Sequence, residues 1–120
     1  MEYPAYLLGK RVFNCPIDLA INAISGKWKL LIIFKISAAG TIRFGELKRQ
    51  IAGVSEKMLI QHLKELESDG LVTRTVYEVV PPKVEYSLSA SGKCFIPVID
   101  AMRNCGSTFL LEEHAISTNE

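Results

Sequence analysis

Apolar residues recur along this chain at two periods, and the change from one to the other marks its organisation. From Val54 to Leu71, Leu59, Leu63 and Leu66 follow at intervals of four and three, which places them on one stripe of an α-helix. Ser55 is a good N-cap and Gly70 a good C′ residue, so both ends of that helix are signalled. At roughly 100° per residue, Lys57, Gln61, Lys64 and Ser68 fall opposite the leucines. The stretch predicts a helix with an apolar back and a front of ammonium and amide groups. Such a front suits phosphates and base edges.

The same reading applied from the N-terminus gives the neighbours of this helix. Met1 to Asn14 is apolar but irregular, with Pro4 and Gly9 opposing a long helix. Cys15-Pro16 opens a helix, since proline suits the first helical position; Ile17, Ala20, Ile21 and Ile24 carry it until Ser25-Gly26. A second helix from Lys27 to about Ser37, with Trp28, Leu31, Ile32 and Ile36, is almost wholly apolar after Lys29, as expected of a core helix. Thr41-Ile42-Arg43 is β-favouring and short, an edge strand. Phe44 to Ile51 is a third helix, with Leu47 and Ile51 inward and Lys48 and Arg49 outward.

Beyond Gly70 the period changes to two. Leu71 to Val79 is β-branched and aromatic, and Lys83 to Leu88 alternates Val84, Tyr86 and Leu88 with Lys83, Glu85 and Ser87. With Val80-Pro81-Pro82 as a stiff tip, these two runs predict a β-hairpin. A last helix follows Ser89, with Pro97 either kinking it or lying in its first turn, and the tail from about Ala115 reads as frayed. Two short helices across a turn, followed by a hairpin, define a winged helix-turn-helix. The expected fold class is mainly α with a small β-hairpin, a winged helix-turn-helix domain with N- and C-terminal dimerisation helices. It forms one domain over residues 1–120, with the core at 15–89 and dimerisation segments at 1–14 and 90–115.

Charge sharpens this picture. The net charge is only +1, but residues 27–83 hold ten Lys/Arg against six Asp/Glu, while residues 84–120 hold two against five. The basic stretch coincides with the predicted helix pair and hairpin, where a polyanion would dock. An apolar fraction of 48% with 22% charged residues is that of a globular protein. No apolar run approaches the ~18 residues of a membrane span, and the N-terminus lacks a signal-peptide pattern, so a cytoplasmic location without membrane contact is expected. Cys15, Cys94 and Cys105 do not make a disulfide framework, and with two histidines they do not fall at zinc spacings, so neither a metal nor a cofactor is expected. No Cys/His/Asp constellation indicates an enzyme.

Certain runs also carry a resemblance. Cys15-Pro16 precedes Gly26-Lys27-Trp28-Lys29; then come Arg43-Phe44-Gly45-Glu46-Leu47 and Ser55-Glu56-Lys57-Met58-Leu59. Leu63, Glu65-Leu66, Asp69-Gly70-Leu71-Val72, Arg74 and Tyr77 follow, and the series ends with Val80-Pro81-Pro82-Lys83-Val84-Glu85-Tyr86-Ser87-Leu88. In order and spacing these runs resemble the HxlR-type transcriptional regulators, a MarR-like branch of winged-helix proteins, over about residues 14 to 105. One departure is Ser25, where the family often has a second glycine. The resemblance implies a homodimer on a two-fold-related DNA operator, each subunit laying its recognition helix in a major groove and its wing over the adjacent backbone or minor groove.

The residues assigned to DNA on this reading are Lys57, Gln61 and Lys64 on the helix front, with Ser55 and Glu56 at its N-terminus, where a phosphate is also favoured. Ser55 acts either there or as a cap alone. Ile60 is poised between a thymine methyl and internal packing. Arg43, Arg74 and Lys83 are expected phosphate clamps, which position the protein without reading sequence. His62 and Trp28 are read as structural. Phe95, Val98, Met102, Cys105 and Phe109 recur at three and four residues, a coiled-coil-like seam assigned to the dimer interface rather than to packing within the domain. Relatives use a cysteine at the position of Cys15 to sense oxidants or electrophiles, and a thiol at a helix N-terminus has its thiolate stabilised. The competing reading of Cys15 is a small packing residue. The function expected is sequence-specific transcriptional regulation by a homodimer. The alternative is a winged-helix module that binds protein instead of DNA.

Overall fold

The computed structural model describes residues 5–113, with side chains to residue 110, so the tail from Ala115 and the first four residues lie outside the described residues. The chain runs β1 (Tyr6–Leu8), β2 (Arg11–Phe13), α1 (Pro16–Ala23), α2 (Lys29–Ala39), β3 (Thr41–Arg43) and α3 (Phe44–Gln50). It continues with α4 (Glu56–Ser68), β4 (Val72–Tyr77), β5 (Lys83–Leu88), α5 (Ala90–Lys93) and α6 (Ile96–Glu113). This is the predicted winged helix-turn-helix order.

Helix α4 forms where its caps place it. Ser55 Oγ accepts the Met58 N–H at 3.1 Å, and the other end closes in a Schellman motif. There the Gly70 N–H donates to Glu67 O at 3.0 Å and the Leu71 N–H to Leu66 O at 2.9 Å. Gly70 takes φ +78°, a left-handed conformation that a Cβ would oppose. Leu59, Leu63 and Leu66 are buried, together with Ile32, Ile33 and Ile36 of α2, Leu47 of α3, Ile42 of β3 and Val72 of β4. Trp28 is the N-cap of α2 and packs on this core. The apolar pattern of α2 thus surrounds a helix buried on several sides.

β4 and β5 pair antiparallel, Val72 with Leu88 through to Tyr77 with Lys83. β3 joins the other side of β5, Thr41 with Ser87 through to Arg43 with Glu85. The sheet order is β3-β5-β4, and β3 is the expected edge strand.

Three expectations change. Residues 5–14 are not irregular: β1 and β2 pair as a small hairpin, Tyr6 with Phe13, turned by Gly9 at φ +62°. Tyr6–Leu8 and Arg11–Phe13 are too short to show alternation, and unlike Thr41–Arg43 they lie in a stretch without a β-favouring Thr-Ile pair to mark them. The helix after Ser89 is divided: Ser89 Oγ caps α5 by accepting the Gly92 N–H at 3.0 Å, the chain turns, and Pro97 falls at the second residue of α6, where its missing N–H leaves no bond unmade. Phe95 leaves the proposed seam, because it sits in that turn, 9% exposed, in the domain's own core beside Ile99.

The other four seam positions, Val98, Met102, Cys105 and Phe109, lie on the exposed surface of α6, which is about 27 Å long. Every residue from Asp100 to Leu110 is exposed. The radius of gyration is 17.0 Å, against about 14 Å for a compact chain of this size. From Asp100 onward, α6 stands away from the winged core.

Candidate nucleic-acid interface

The front of α4 is open. Lys57, Ile60, Gln61 and Lys64 are exposed and, with Glu65, line a shallow concavity of about 350 Å³. Ser55 and Glu56 are exposed at the helix N-terminus, and the Ser55 hydroxyl is engaged as a cap. A rigid backbone therefore presents two ammonium groups, one amide and one apolar side chain from a single surface.

The three expected clamps divide between the faces of the sheet. Residues directly opposite each other in a ladder point the same way. Arg43 opposes Glu85, and Tyr77 opposes Lys83, so Arg43 and Lys83 share the outward face. Arg74 opposes Tyr86 and lies on the face that Ile42, Val72 and Leu88 turn to the core, at a point where the side chain is exposed. Lys83 is already occupied: its ammonium is 2.8 Å from Glu85 Oε1 and 4.9 Å above the Tyr77 ring. A phosphate would have to compete with that carboxylate.

Behind the front lies a polar contact that sequence reading missed. Lys29 is 4% exposed, and its Nζ donates to Glu65 Oε2 at 3.0 Å, linking α2 to α4. His62, structural as expected, is buried with Nδ1 3.7 Å from Glu65 Oε1, and that nitrogen has no hydrogen-bond partner among the described residues. Partial burial pushes the Glu65 carboxyl up, but the bond and charge of Lys29, the neighbouring Gln61 side chain and the nearby His62 outweigh it and hold its pKa below the ordinary glutamate value. A carboxylate lowered on folding adds stability that is fully present above the unfolded pKa and is lost as pH falls through the folded one. Thermal melts between pH 7 and pH 3 should therefore show Tm falling below about pH 4.5, with a smaller acid loss in Lys29→Met. Equal losses in both proteins would show that the pair contributes nothing. The comparison is needed because Arg49 and Gln50 also hold Glu46 low.

A second ion pair joins the N-terminal hairpin to the end of α4, Arg11 Nη2 lying 2.9 Å from Asp69 Oδ2. The one visible hint of these pairs was Lys29 itself, a cation at the head of an apolar run. Its partner lies 36 residues away. Cys15, the N-cap of α1, is half-buried and free, and Cys94 and Cys105 are free and exposed. Among the described residues no group of His, Cys, Asp and Glu is arranged to hold a metal, and no helix is long and apolar enough to cross a membrane.

A capped helix with a polar front, preceded by a short helix and followed by a β-hairpin, defines the winged helix-turn-helix class. The chain belongs to the HxlR-like helix-turn-helix family, whose model matches residues 23–114. It is 41% identical over 102 residues to an HTH-type transcriptional regulator of Methanothermobacter thermautotrophicus, covering 85% of this chain and 77% of that one. Among solved structures it is similar to the HTH-type transcriptional regulator ytcD, with TM-score 0.77 and 38% identity over 82% of this chain and 99% of that one. It is also similar to the redox regulator HypR in its oxidized form, with TM-score 0.73 and 39% identity over 78% and 96%. The protein is thus a helix-turn-helix transcriptional regulator and not an enzyme.

Proposed function

We propose that this regulator acts in the cytoplasm as a homodimer that binds a double-stranded DNA operator and reads its sequence with α4. The observation that carries the reading is the exposed Lys57, Gln61 and Lys64 face on a helix whose other side is locked in the core. Gln61 offers the donor and acceptor that pair with an adenine edge, and the lysines suit guanine acceptors or phosphates. The backbone N–H groups at Ser55 and Glu56, at the start of α4, meet the DNA backbone, while Arg43, Arg74 and Lys83 hold the wing against it.

The homodimer is supported by apolar surface gathered on the terminal elements. Leu7, Val12, Ile17, Ile21, Val98, Met102 and Phe109 are all exposed, Ile17 by 69%. A groove of about 530 Å³ between α1, α2 and α6, lined by Ile24, Leu31, Phe34, Ile99 and Met102, is of a kind that a second copy would fill. A response to oxidants or electrophiles through Cys15 goes with this reading, supported by its place at the N-cap of α1 and by the redox role named for HypR.

Selecting duplexes from a random pool tests all of this. Binding is expected with two chains per duplex and an affinity that falls steeply with salt. Gln61→Ala should cost about 1–3 kcal/mol at its preferred base and relax selection there. Lys83→Ala should weaken all sequences alike and lower the salt slope by less than the ~0.9 of a full phosphate contact, because Glu85 already shares its charge. Binding by oxidised and reduced protein should differ, and the difference should vanish in Cys15→Ser. A protein that shifts no duplex in a salt-sensitive way belongs instead with winged-helix modules that bind protein.

A further inference from the structure

Polar groups at the C-terminal end of α4 continue its open front onto the N-terminal hairpin. The concavity that holds Lys57, Gln61 and Lys64 shares Lys64 and Glu65 with a second one of about 330 Å³, completed by Ser68, Asp69 and Arg11. The polar surface therefore runs from the first turn of α4 to its last and passes on to β2. Strand pairing explains how the hairpin comes to lie there. Leu8 opposes Arg11 and Leu7 opposes Val12, and opposed residues share a face. Leu8 is buried and Arg11 reaches Asp69, so that face grips the domain, while Leu7 and Val12 are exposed on the other. The Gly9-Lys10 turn rests against the helix end: a Cβ at Gly9 would lie 3.8 Å from Asp69 Oδ1. Lys10, the next residue, is exposed.

The charges gathered here do not cancel. Arg11 donates through Nη2 to both Asp69 oxygens, at 3.0 and 2.9 Å, and through Nε to Leu8 O at 3.4 Å. Its Nη1 keeps two hydrogens without a partner among the described residues. Asp69 is matched by Arg11 and Glu65 by Lys29. Lys10 and Lys64 form no ion pair among the described residues. Glu67 lies about 100° around the helix from Ser68. The end of a helix repels anions, but here the Gly70 and Leu71 N–H groups already occupy two of its carbonyls.

We propose that the hairpin turn is a further DNA clamp, in which Lys10, Arg11 Nη1, Lys64 and the Ser68 hydroxyl hold a backbone phosphate beyond the bases that Gln61 faces. The Arg11–Asp69 pair pins the turn in place. The proposal rests on the DNA-binding reading above and extends its surface to an element which that reading leaves out. Such a contact adds affinity and register without reading sequence.

The test is Lys10→Ala on a selected duplex, with binding measured across a range of salt. Lys10 is exposed in a turn, so the substitution leaves the fold intact. Affinity is expected to fall about fivefold or more at about 0.1 M salt, and the salt slope by up to ~0.9 for each chain bound. In an Arg11→Gln background, where the pin is gone, Lys10→Ala should change the slope by less than half as much. Ethylation of single phosphates locates the contact. Phosphates whose ethylation no longer interferes in Lys10→Ala should be the same as, or next to, those lost in Lys64→Ala. An unchanged slope in Lys10→Ala overturns the proposal alone, as does a lowered slope with an unaltered interference pattern. Equal effects of Lys10→Ala with and without Arg11 overturn the pin. Failure of the unsubstituted protein to bind any duplex overturns the DNA-binding reading and the clamp with it.

Discussion

Gly92→Ala is expected to destabilise the protein by about 3 kcal/mol or more, at the upper end of the range for overpacking. A Cβ at this position would stand 2.1 Å from the Leu71 carbonyl oxygen and 3.0 Å from its carbon. That oxygen has no easy retreat. It accepts the Ser89 N–H at 3.0 Å, and Leu71 is itself buried at the end of the Schellman motif. Moving α5 outward instead would strain the Ser89 cap and lift Phe95 from the core. Thermal unfolding should show Tm lowered by about 10 °C or more. A melt like that of the unsubstituted protein would mean that α5 has room to shift.

Leu63→Ala is expected to cost about 2–5 kcal/mol through lost burial and the cavity left behind. Leu63 is 2% exposed on the apolar stripe of α4, so the substitution loosens the helix from its seat. Gln61→Ala, two residues away on the open front, should leave stability within about 0.5 kcal/mol. Denaturant unfolding of the two variants therefore separates the back of the helix from the front. Similar losses for both would mean that α4 is not divided into a packing face and a reading face.

What the sequence revealed of this fold depended on how local each cause was. The ends of α4 were legible because Ser55 and Gly70 act on backbone groups within a few residues of themselves. The hairpin was legible from the alternation along Lys83 to Leu88. The N-terminal hairpin was not, because its three-residue strands leave no period to detect and lack the Thr-Ile pair that marked β3. Phe95 matched a seam by spacing, yet the turn between α5 and α6 set it inward with Ile99. Lys29 and Glu65 meet across 36 residues, and Gly92 is needed because of a backbone oxygen on Leu71. No local pattern encodes either. In the candidate interface, Lys57, Gln61 and Lys64 were readable from helical spacing, whereas the division of Arg43 and Lys83 from Arg74 depends on register, which only the paired strands reveal.

Strand β5 is the centre of its sheet, bonded to β3 on one side and β4 on the other. A single inserted residue within Lys83 to Leu88 would turn Tyr86 and Leu88 away from the core and mismatch both neighbours together. The tip from Glu78 to Pro82 lies outside either ladder. Length changes there leave the sheet untouched. The wing is thus divided into a shaft whose length is fixed by two partners and a tip free to grow, shrink or change composition. On the DNA-binding reading proposed above, the tip can be refitted to a different DNA backbone without disturbing α4.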